Sequence, residues 1–151
     1  MNLSDYIDGE RVILSLSSQD KDSAISEMVN FLDGKNALTD RESALQALFE
    51  REKLGSTGVG EEIAIPHAKL AVDDLVILLA FSDGLPFQSA DGKDVKILFL
   101  VLAPEKQMNL HLKTLAKISR LVKATDFKER VLQAKSVSDV CLILREEEEK
   151  L

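Results

Sequence analysis

The chain has 151 residues, of which 45% are apolar and 30% are charged, and its formal net charge is −7 at pH 7. This length predicts one domain, since domains usually span roughly 100 to 200 residues, and the apolar content excludes a disordered chain. The acidic balance excludes the basic surface that binds nucleic-acid backbones. Without a signal peptide or a bilayer-spanning apolar run, we expect a cytoplasmic protein that is peripheral to a membrane at most.

The N-terminal part of the chain predicts one strand followed by two helices. Residues 12–16 are rich in β-branched and apolar side chains, as is typical of a strand. Ser18 is placed to cap a first helix that ends at 33–34, and Thr39 with Glu42 forms a capping-box pattern that opens a second helix. The apolar positions that share one face of these helices are Ala24, Ile25, Met28, Val29 and Leu32, then Ala44, Leu45, Leu48 and Phe49.

A flexible, glycine-rich loop at 55–60 leads into three apolar segments in the middle of the chain. Residues 63–65 predict a short strand that Pro66 ends. Residues 75–81 and 95–102 are near-continuous apolar runs, which are typical of strands buried on both faces. The Asp-Gly pairs that predict turns in this region are 83–84 and 91–92.

The C-terminal part predicts three helices. The first spans 105–122, a shorter one lies near 125–133, and the last begins at Ser136 or Ser138. Four consecutive glutamates suggest that residues 146–151 form a frayed, solvated acidic tail. The predicted buried stripe of the first of these helices comprises Met108, Leu112, Leu115, Ile118 and Val122.

Strands and helices alternate along the chain, with no repeat and no dividing linker. The sequence therefore predicts an α/β fold, a single domain over 1–151 with a mixed β-sheet flanked by helices on both faces. The strand order does not follow from these patterns. Cys141 lies in an apolar run, which favours a small buried hydrophobe over a reactive thiol.

The glycine-rich loop does not carry a nucleotide-binding pattern. Gly55 and Gly60 have P-loop spacing, but the motif requires Lys and Ser or Thr next, where this chain has two glutamates at 61–62. Carboxylates there would repel phosphates. His67 and His111 lack a ligand-like spacing such as HExxH, so we predict no metal and no cofactor.

Histidine remains as the candidate for chemistry. His67 follows a short strand beside the loop, and a neutral imidazole is a competent nucleophile toward phosphorus. A phosphoryl group on it would need donors and positive charge, which Arg51 and the loop can supply. These patterns are equally compatible with an ordinary histidine at 67, and with either a packing or an orienting role for His111. The loop residues that can donate are Ser56, Thr57 and Gly58.

The segment 50–70 has the sequence EREKLGSTGVGEEIAIPHAKL. It resembles the active-site segment of EIIA domains of the bacterial phosphotransferase system, in the fructose/mannitol class that includes the nitrogen-regulatory EIIA proteins. The LVLAPE sequence at 100–105 and the segment that begins at His111 extend the resemblance over about residues 3–145. Many members carry glycine where this chain has Ala68, so the backbone there must be ordinary or slightly strained.

The resemblance implies that His67 is the phosphorylated residue and that Arg51 and His111 assist. It implies HPr, or its nitrogen-branch counterpart, as donor and an EIIB domain of a fructose- or mannitol-type transporter as acceptor. Alternatively, the phosphorylation state controls binding to regulatory partners. A small-molecule binding domain without transfer activity is a third hypothesis. Donor docking calls for a shallow apolar patch, for which the candidates are Val59, Ile65 and Leu70.

Overall fold

In the computed structural model, which describes all residues 1–151, two long strands form the centre of a six-stranded mixed sheet. The sheet order is β1-β5-β6-β3-β2, and β4 also pairs with β6. The strands are β1 Val12–Ile13, β2 Gly58–Gly60, β3 Ile63–Ala64, β4 His67–Leu70, β5 Val76–Leu85 and β6 Val95–Pro104. The helices are α1 Lys21–Gly34, α2 Arg41–Lys53, α3 Met108–Ala124, α4 Phe127–Val131 and α5 Val137–Glu148, with short 3-10 turns at Leu3–Asp5 and Gly9–Arg11.

Alternating side chains on the central strand require a helical layer on each side of the sheet. On β6, Phe99 and Val101 point to one face and Leu98 and Leu100 to the other, and all four are buried. Helices α1 and α2 cover the second face, whereas α3, α4 and α5 cover the first. The predicted α/β fold, with a mixed sheet flanked by helices, is confirmed. None of the helices is both long and apolar enough to cross a membrane.

Strands β3 and β4 lie along the same edge of β6, in parallel and in one register. Ala64 pairs with Leu98 and His67 pairs with Val101, so the register continues through Pro66. The proline has no N–H, but its carbonyl accepts the Val101 N–H at 2.9 Å. The predicted short strand does end before Pro66, but the sequence did not predict that His67 opens a further strand, β4.

The loop predicted at 55–60 is partly a strand. Its last three residues form β2, which pairs antiparallel with β3. The two are joined by Glu61 and Glu62, both with positive φ, of 57° and 69°. Two central residues with φ > 0 match the twist of a hairpin, although glutamate rarely adopts this conformation.

The first two helices begin later than predicted. Their caps are Asp20 and Asp40 rather than Ser18 and Thr39, and each aspartate accepts the backbone N–H three residues further on. The Ser18 hydroxyl donates instead to Glu27 at 2.6 Å. The predicted inner faces of both helices are confirmed, since all nine apolar side chains belong to or pack against the core on this face of the sheet.

Other boundaries also differ from the predictions. The first strand is confined to Val12–Ile13, and α3 begins at Met108 rather than at 105. The predicted turn at 83–84 lies within β5, where pairing with β6 becomes irregular. Cys141 is half-buried and packs against the core, and burial raises the pKa of its thiol.

The predicted frayed tail is wrong. Helix α5 begins after the predicted cap Ser136 and continues to Glu148, and the carboxylates of Glu147 and Glu148 are both buried. The Glu148 carboxylate accepts the Ser4 N–H at 3.0 Å and lies 3.4 Å from Lys117 Nζ. Because Glu148 is paired with the chain's N-terminal turn, the C-terminal end of α5 forms part of the packed structure.

Glu147 provides a test of this pairing. Its carboxylate accepts the Asp126 N–H at 2.9 Å and contacts Arg130 at 3.2 Å and Lys150 at 2.6 Å. We expect Glu147→Ala to lower the free energy of unfolding at pH 7 by about 2 kcal/mol, measured by urea denaturation, because these donors lose a charged acceptor. Glu146→Ala, at an exposed carboxylate, should change it by less than about 0.5 kcal/mol.

The effect of Glu147 should depend on pH. The Lys150 ammonium, which opposes the cost of burial, holds the pKa of Glu147 below its ordinary value, together with Asp126 and Arg130. The stabilisation is therefore complete above the ordinary glutamate pKa of about 4.3 and is lost as the pH falls through the lowered value. Equal destabilisation by Glu147→Ala at pH 7 and in strong acid would contradict this.

Candidate functional site

The direction of the His67 side chain follows from its place on β4. Side chains alternate along a strand, and Ile63 and Ile65 both belong to the core beneath α3. His67 continues this alternation in the same register on β6, so its ring points to the face that α3 covers. The ring is partly buried and meets the ring of His111, which α3 supplies, with 5.3 Å between the two centroids.

A short hydrogen bond fixes the tautomer of His67. Its Nδ1 lies 2.7 Å from the carbonyl oxygen of Ile65. A carbonyl only accepts hydrogen bonds, so Nδ1 carries the proton and Nε2 keeps its lone pair. The Ile65 carbonyl is free to accept because the pairing of β2 with β3 begins at Gly58, opposite Ala64, so that on the side away from β6 no strand lies beside the residues that follow. Nε2 is therefore the nucleophilic atom of this ring.

His111 carries its proton on the other ring nitrogen, Nε2, in contrast to His67. The side chain is 6% exposed, and its Nδ1 is buried without a hydrogen-bond partner. A buried orphan N–H is rarer than a buried orphan acceptor, so the proton belongs on Nε2. Because His111 lines the same cleft as His67, its Nε2–H is available as a donor there.

Both imidazoles are held neutral. Burial lowers the pKa of His67 below its ordinary value, and the charges of Arg51 and Lys69 lower it further. The hydrogen bond to Ile65 and the carboxylate of Glu52 act in the opposite direction. Burial also lowers the pKa of His111, with smaller effects from His67 and Lys69. At neutral pH the pair therefore offers a lone pair on one ring and a neutral donor on the other.

An open cleft with a volume of about 580 Å³ lies over the two histidines. Arg51, in the last turn of α2, reaches it and donates from Nη1 to the Gly55 carbonyl at 2.8 Å, which leaves the rest of its guanidinium free. The structure thus brings together all three of the residues predicted for catalysis. The cleft is lined by Ala47, Glu50, Arg51, Leu54, His67, Ala68, Lys69, Met108, His111, Leu112 and Leu115.

The loop residues predicted to bind the phosphoryl group lie outside this lining. The Ser56 hydroxyl donates to the Phe87 carbonyl, and the Gly58 N–H donates to Ser56 Oγ at 3.0 Å. Thr57 is buried and donates through both its hydroxyl and its N–H to Glu52. These donors hold the loop itself, so their contribution to the site is structural.

The apolar rim of the cleft differs from the predicted patch. Leu54, Met108 and Leu112 form it, and their side chains are 84%, 56% and 57% exposed. The residues predicted for this role lie elsewhere: Ile65 is buried, Val59 and Ile65 line a separate cleft against α3 and α4, and Leu70 lies beside Leu38.

The exposure of Met108 and Leu112 also means that the predicted buried stripe of α3 is partly wrong. The buried positions of α3 are His111, Thr114, Ile118 and Leu121, so the inner face is rotated away from Met108 and Leu112. Ile118 is the one residue of the predicted stripe that is fully buried. The spacing of Met108 and Leu112 four positions apart, around His111, was the available signal for an apolar rim.

The tautomer and the pKa of His67 can be measured directly. In ¹⁵N-resolved NMR spectra we expect one neutral tautomer at pH 7, with the proton on Nδ1, because of the bond to Ile65. Since the pKa is lowered, the neutral form should persist below the ordinary value of about 6.5 as the pH falls. An Nε2–H tautomer, or a midpoint above the ordinary value, would contradict this geometry.

Comparison with known families agrees with this arrangement. Residues 5–147 match the family described as "Phosphoenolpyruvate-dependent sugar phosphotransferase system, EIIA 2". The chain therefore belongs to the EIIA family of the phosphotransferase system, which confirms the resemblance of segment 50–70.

Relatives within this family have two kinds of name. The fructose-specific EIIA component of Haloferax volcanii is 38% identical over 128 residues, which cover 83% of this chain and 83% of that protein. A nitrogen regulatory protein of Bradyrhizobium diazoefficiens is 33% identical over 149 residues, covering 95% of each. The fructose-specific EIIABC component of Bacillus subtilis is 32% identical over 97% of this chain, which spans 23% of that longer protein.

Solved structures share the fold. The crystal structure of the nitrogen regulatory protein IIA-Ntr from Neisseria meningitidis matches with a TM-score of 0.86 at 28% identity, covering 94% of this chain and 98% of that one. Enzyme IIA mannitol of Escherichia coli, solved in complex with phosphorylated enzyme IIB mannitol, matches with a TM-score of 0.76 at 21% identity, covering 91% and 95%.

Proposed function

We propose that this chain accepts a phosphoryl group on Nε2 of His67 from an HPr-type phosphocarrier and passes it to an EIIB domain of a fructose- or mannitol-type transporter. The observation that carries the proposal is the unprotonated Nε2 of a neutral His67 in an open cleft beside Arg51 and His111. Membership in the EIIA family supports phosphoryl transfer as the reaction. As the sequence predicts, the exchange takes place between protein carriers in the cytoplasm.

The chemical step is an in-line transfer between two imidazoles. The Nε2 lone pair of His67 forms the new N–P bond while the N–P bond of the donor's phosphohistidine breaks. The electron pair of the broken bond returns to the donor's ring, and the proton of His67 stays on Nδ1, hydrogen-bonded to the Ile65 carbonyl throughout. The nucleophile needs no base, because burial and the neighbouring cations already keep it neutral.

Positioning and charge stabilisation then account for catalysis. The free donors of Arg51 suit the phosphoryl oxygens, which a planar guanidinium can bind in pairs. The Nε2–H of His111 adds a neutral donor from the opposite side of the cleft, within reach of a group on the adjacent His67 ring. Lys69 contributes a further positive charge at the cleft. Preorganised donors of this kind act on the charge that develops in transfer.

The open shape of the cleft suits transfer between proteins. Two partner histidines must approach in line, which requires a surface that the partner can cover. The exposed side chains of Leu54, Met108 and Leu112 provide apolar contacts around the reacting ring. This rim supports a docking partner better than a small free substrate, which would call for an enclosed pocket.

A regulatory role is the second candidate. The IIA-Ntr structure matches with a TM-score of 0.86, and the nitrogen regulatory relative is covered over 95% of its length. In this role the same phosphorylation of His67 would control which regulatory partner binds. Onward transfer distinguishes the two: loss of the phosphoryl group to a purified fructose-type EIIB domain supports the transport role, whereas capture of a regulatory kinase by one phosphorylation state supports the other.

The carrier role can be tested by reconstitution. We expect incubation with phosphoenolpyruvate, the general phosphotransferase enzyme and HPr to add one acid-labile phosphoryl group, detected by mass spectrometry. His67→Ala should abolish the gain, because no other residue offers the unprotonated ring nitrogen at this position. If neither HPr nor the nitrogen-branch donor phosphorylates the wild-type chain, the proposal fails and a binding module without transfer activity becomes the better hypothesis.

Arg51 should control the rate of this reaction. We expect Arg51→Ala to slow phosphorylation of His67 by about 10² to 10³, measured by rapid quench, since the phosphoryl oxygens lose their charged donor. Lys53→Ala is the matched control, because Lys53 is an exposed cation at the end of the same helix and lies outside the cleft. It should leave the rate within about threefold. An unchanged rate in Arg51→Ala would remove Arg51 from the site.

A further inference from the structure

Glu52 is a buried carboxylate next to the candidate site that the proposed transfer does not use. Its side chain is 5% exposed and lies on α2 directly after Arg51. One oxygen accepts the Thr57 N–H at 3.1 Å and faces Lys21 Nζ at 3.1 Å, and the other accepts the Thr57 hydroxyl. A charge is tolerated away from water when it is paired and hydrogen-bonded, and Glu52 meets both conditions.

Hydrogen bonds connect Glu52 to the ring of His67 through two residues, Thr57 and Ile65. The Thr57 carbonyl accepts the Ile65 N–H at 3.0 Å. The Ile65 carbonyl in turn accepts the Nδ1 proton of His67 at 2.7 Å. The position of the carbonyl that selects the His67 tautomer therefore depends on Thr57, and Thr57 is held by Glu52.

The surrounding loop leaves Thr57 little freedom to adjust. Lys21, the ion-pair partner of Glu52, lies over the ring of Phe87 at 5.3 Å from its centroid. The carbonyl of Phe87 accepts the Ser56 hydroxyl, so the residue before Thr57 is also fixed. After Thr57, a Cβ at Gly58 would lie 2.2 Å from the Ser89 hydroxyl oxygen, which shows how closely the two segments pack.

We propose that Glu52 is a positioning residue for phosphoryl transfer: by holding Thr57 it fixes the Ile65 carbonyl, and thereby keeps Nε2 of His67 unprotonated and directed into the cleft. The inference rests on the proposed function, since it assigns a role to Glu52 in preparing the same acceptor. Glu52 touches neither the ring of His67 nor the transferred group, and it acts through the two intervening residues.

The charge of Glu52 supplies a signature that a purely structural carboxylate would lack. It raises the pKa of His67 and so opposes the effect of burial. Glutamine at this position keeps an oxygen that can accept from Thr57 but removes the charge. Glu52→Gln should therefore lower the pKa of His67 further while preserving its tautomer.

The test compares Glu52→Ala, Glu52→Gln and Thr57→Val, with the tautomer of His67 read by ¹⁵N NMR and its phosphorylation rate measured with the HPr-type donor. We expect Glu52→Ala to convert the single Nδ1–H tautomer into a mixture and to slow phosphorylation by about 10- to 100-fold, since small misplacements of a reacting group have effects of this size. Glu52→Gln should keep the tautomer and restore the rate to within about threefold of wild type. Thr57→Val, which lacks the hydroxyl, should fall between them.

Glu147→Ala is the matched control, because it also removes a buried, paired carboxylate but one that is not among the residues lining the cleft. It should leave both the tautomer and the rate unchanged. If Glu52→Ala behaves like Glu147→Ala, with reduced stability but a wild-type tautomer and rate, the proposal is overturned. If Glu52→Ala does not fold, a wild-type tautomer and rate in Thr57→Val, together with no shift of the His67 pKa in Glu52→Gln, overturn it equally.

The two proposals fail in different ways. The NMR measurement needs no donor protein, so it judges Glu52 even if the wild-type chain accepts no phosphoryl group. Absence of phosphorylation in the wild type would count against the proposed function alone.

Discussion

The unbroken register of β3 and β4 on β6 is the constraint on which the candidate site depends. Because side chains alternate along a strand, this register sends His67 toward α3 and Ala68 toward α2. A slip of one residue would bury the His67 ring beneath α2 and remove it from His111. Pro66 interrupts the hydrogen bonding without changing the register, since its carbonyl still accepts from β6.

The same register accounts for Ala68, at the position where the resemblance of segment 50–70 leads us to expect glycine. The residue lies in an extended strand and does not have a positive φ. Its methyl group is buried in the core that α1 and α2 cover. The backbone at this position therefore does not need the freedom of glycine, and alanine adds apolar contact on the face of the sheet opposite to the His67 ring.

Local patterns and tertiary pairings differ in how well the sequence predicts them. The long apolar runs of β5 and β6 and the inner faces of α1 and α2 were predictable, because each signal repeats over many neighbouring residues. Met108 and Leu112 fit a helical stripe equally well, and only the packed sheet shows that they lie outside it. Glu147 was misjudged because its partners, Asp126 and Arg130, belong to another helix and its cap.

In the candidate site, too, some features could be predicted from the sequence and others depend on tertiary pairing. His67, Arg51 and His111 could be named from the sequence through a motif that resembles a known family. The hydrogen bond from His67 to Ile65 and the burial of Glu52 could not, because both depend on where β2 begins beside β3. A hydrogen bond between a side chain and a nearby carbonyl does not produce a repeating residue pattern from which it could be predicted.

The residues of the site come from the helical layers on both faces of the sheet. Consecutive residues on a helix point about 100° apart, so Arg51 reaches the cleft while Glu52 turns toward the loop. The end of α2 therefore carries both Arg51, the proposed donor to the phosphoryl group, and Glu52, the proposed support of the His67 ring. His111 belongs to α3, in the opposite layer.

The apolar rim spans both layers, because Leu54 follows α2 whereas Met108 and Leu112 lie on α3. In the proposed function, a partner that covers this rim contacts the end of α2 and the start of α3 at once. Arg51 and His111 lie on the same two helices, so a partner that docks on this rim meets the two elements that carry the proposed phosphoryl-binding donors.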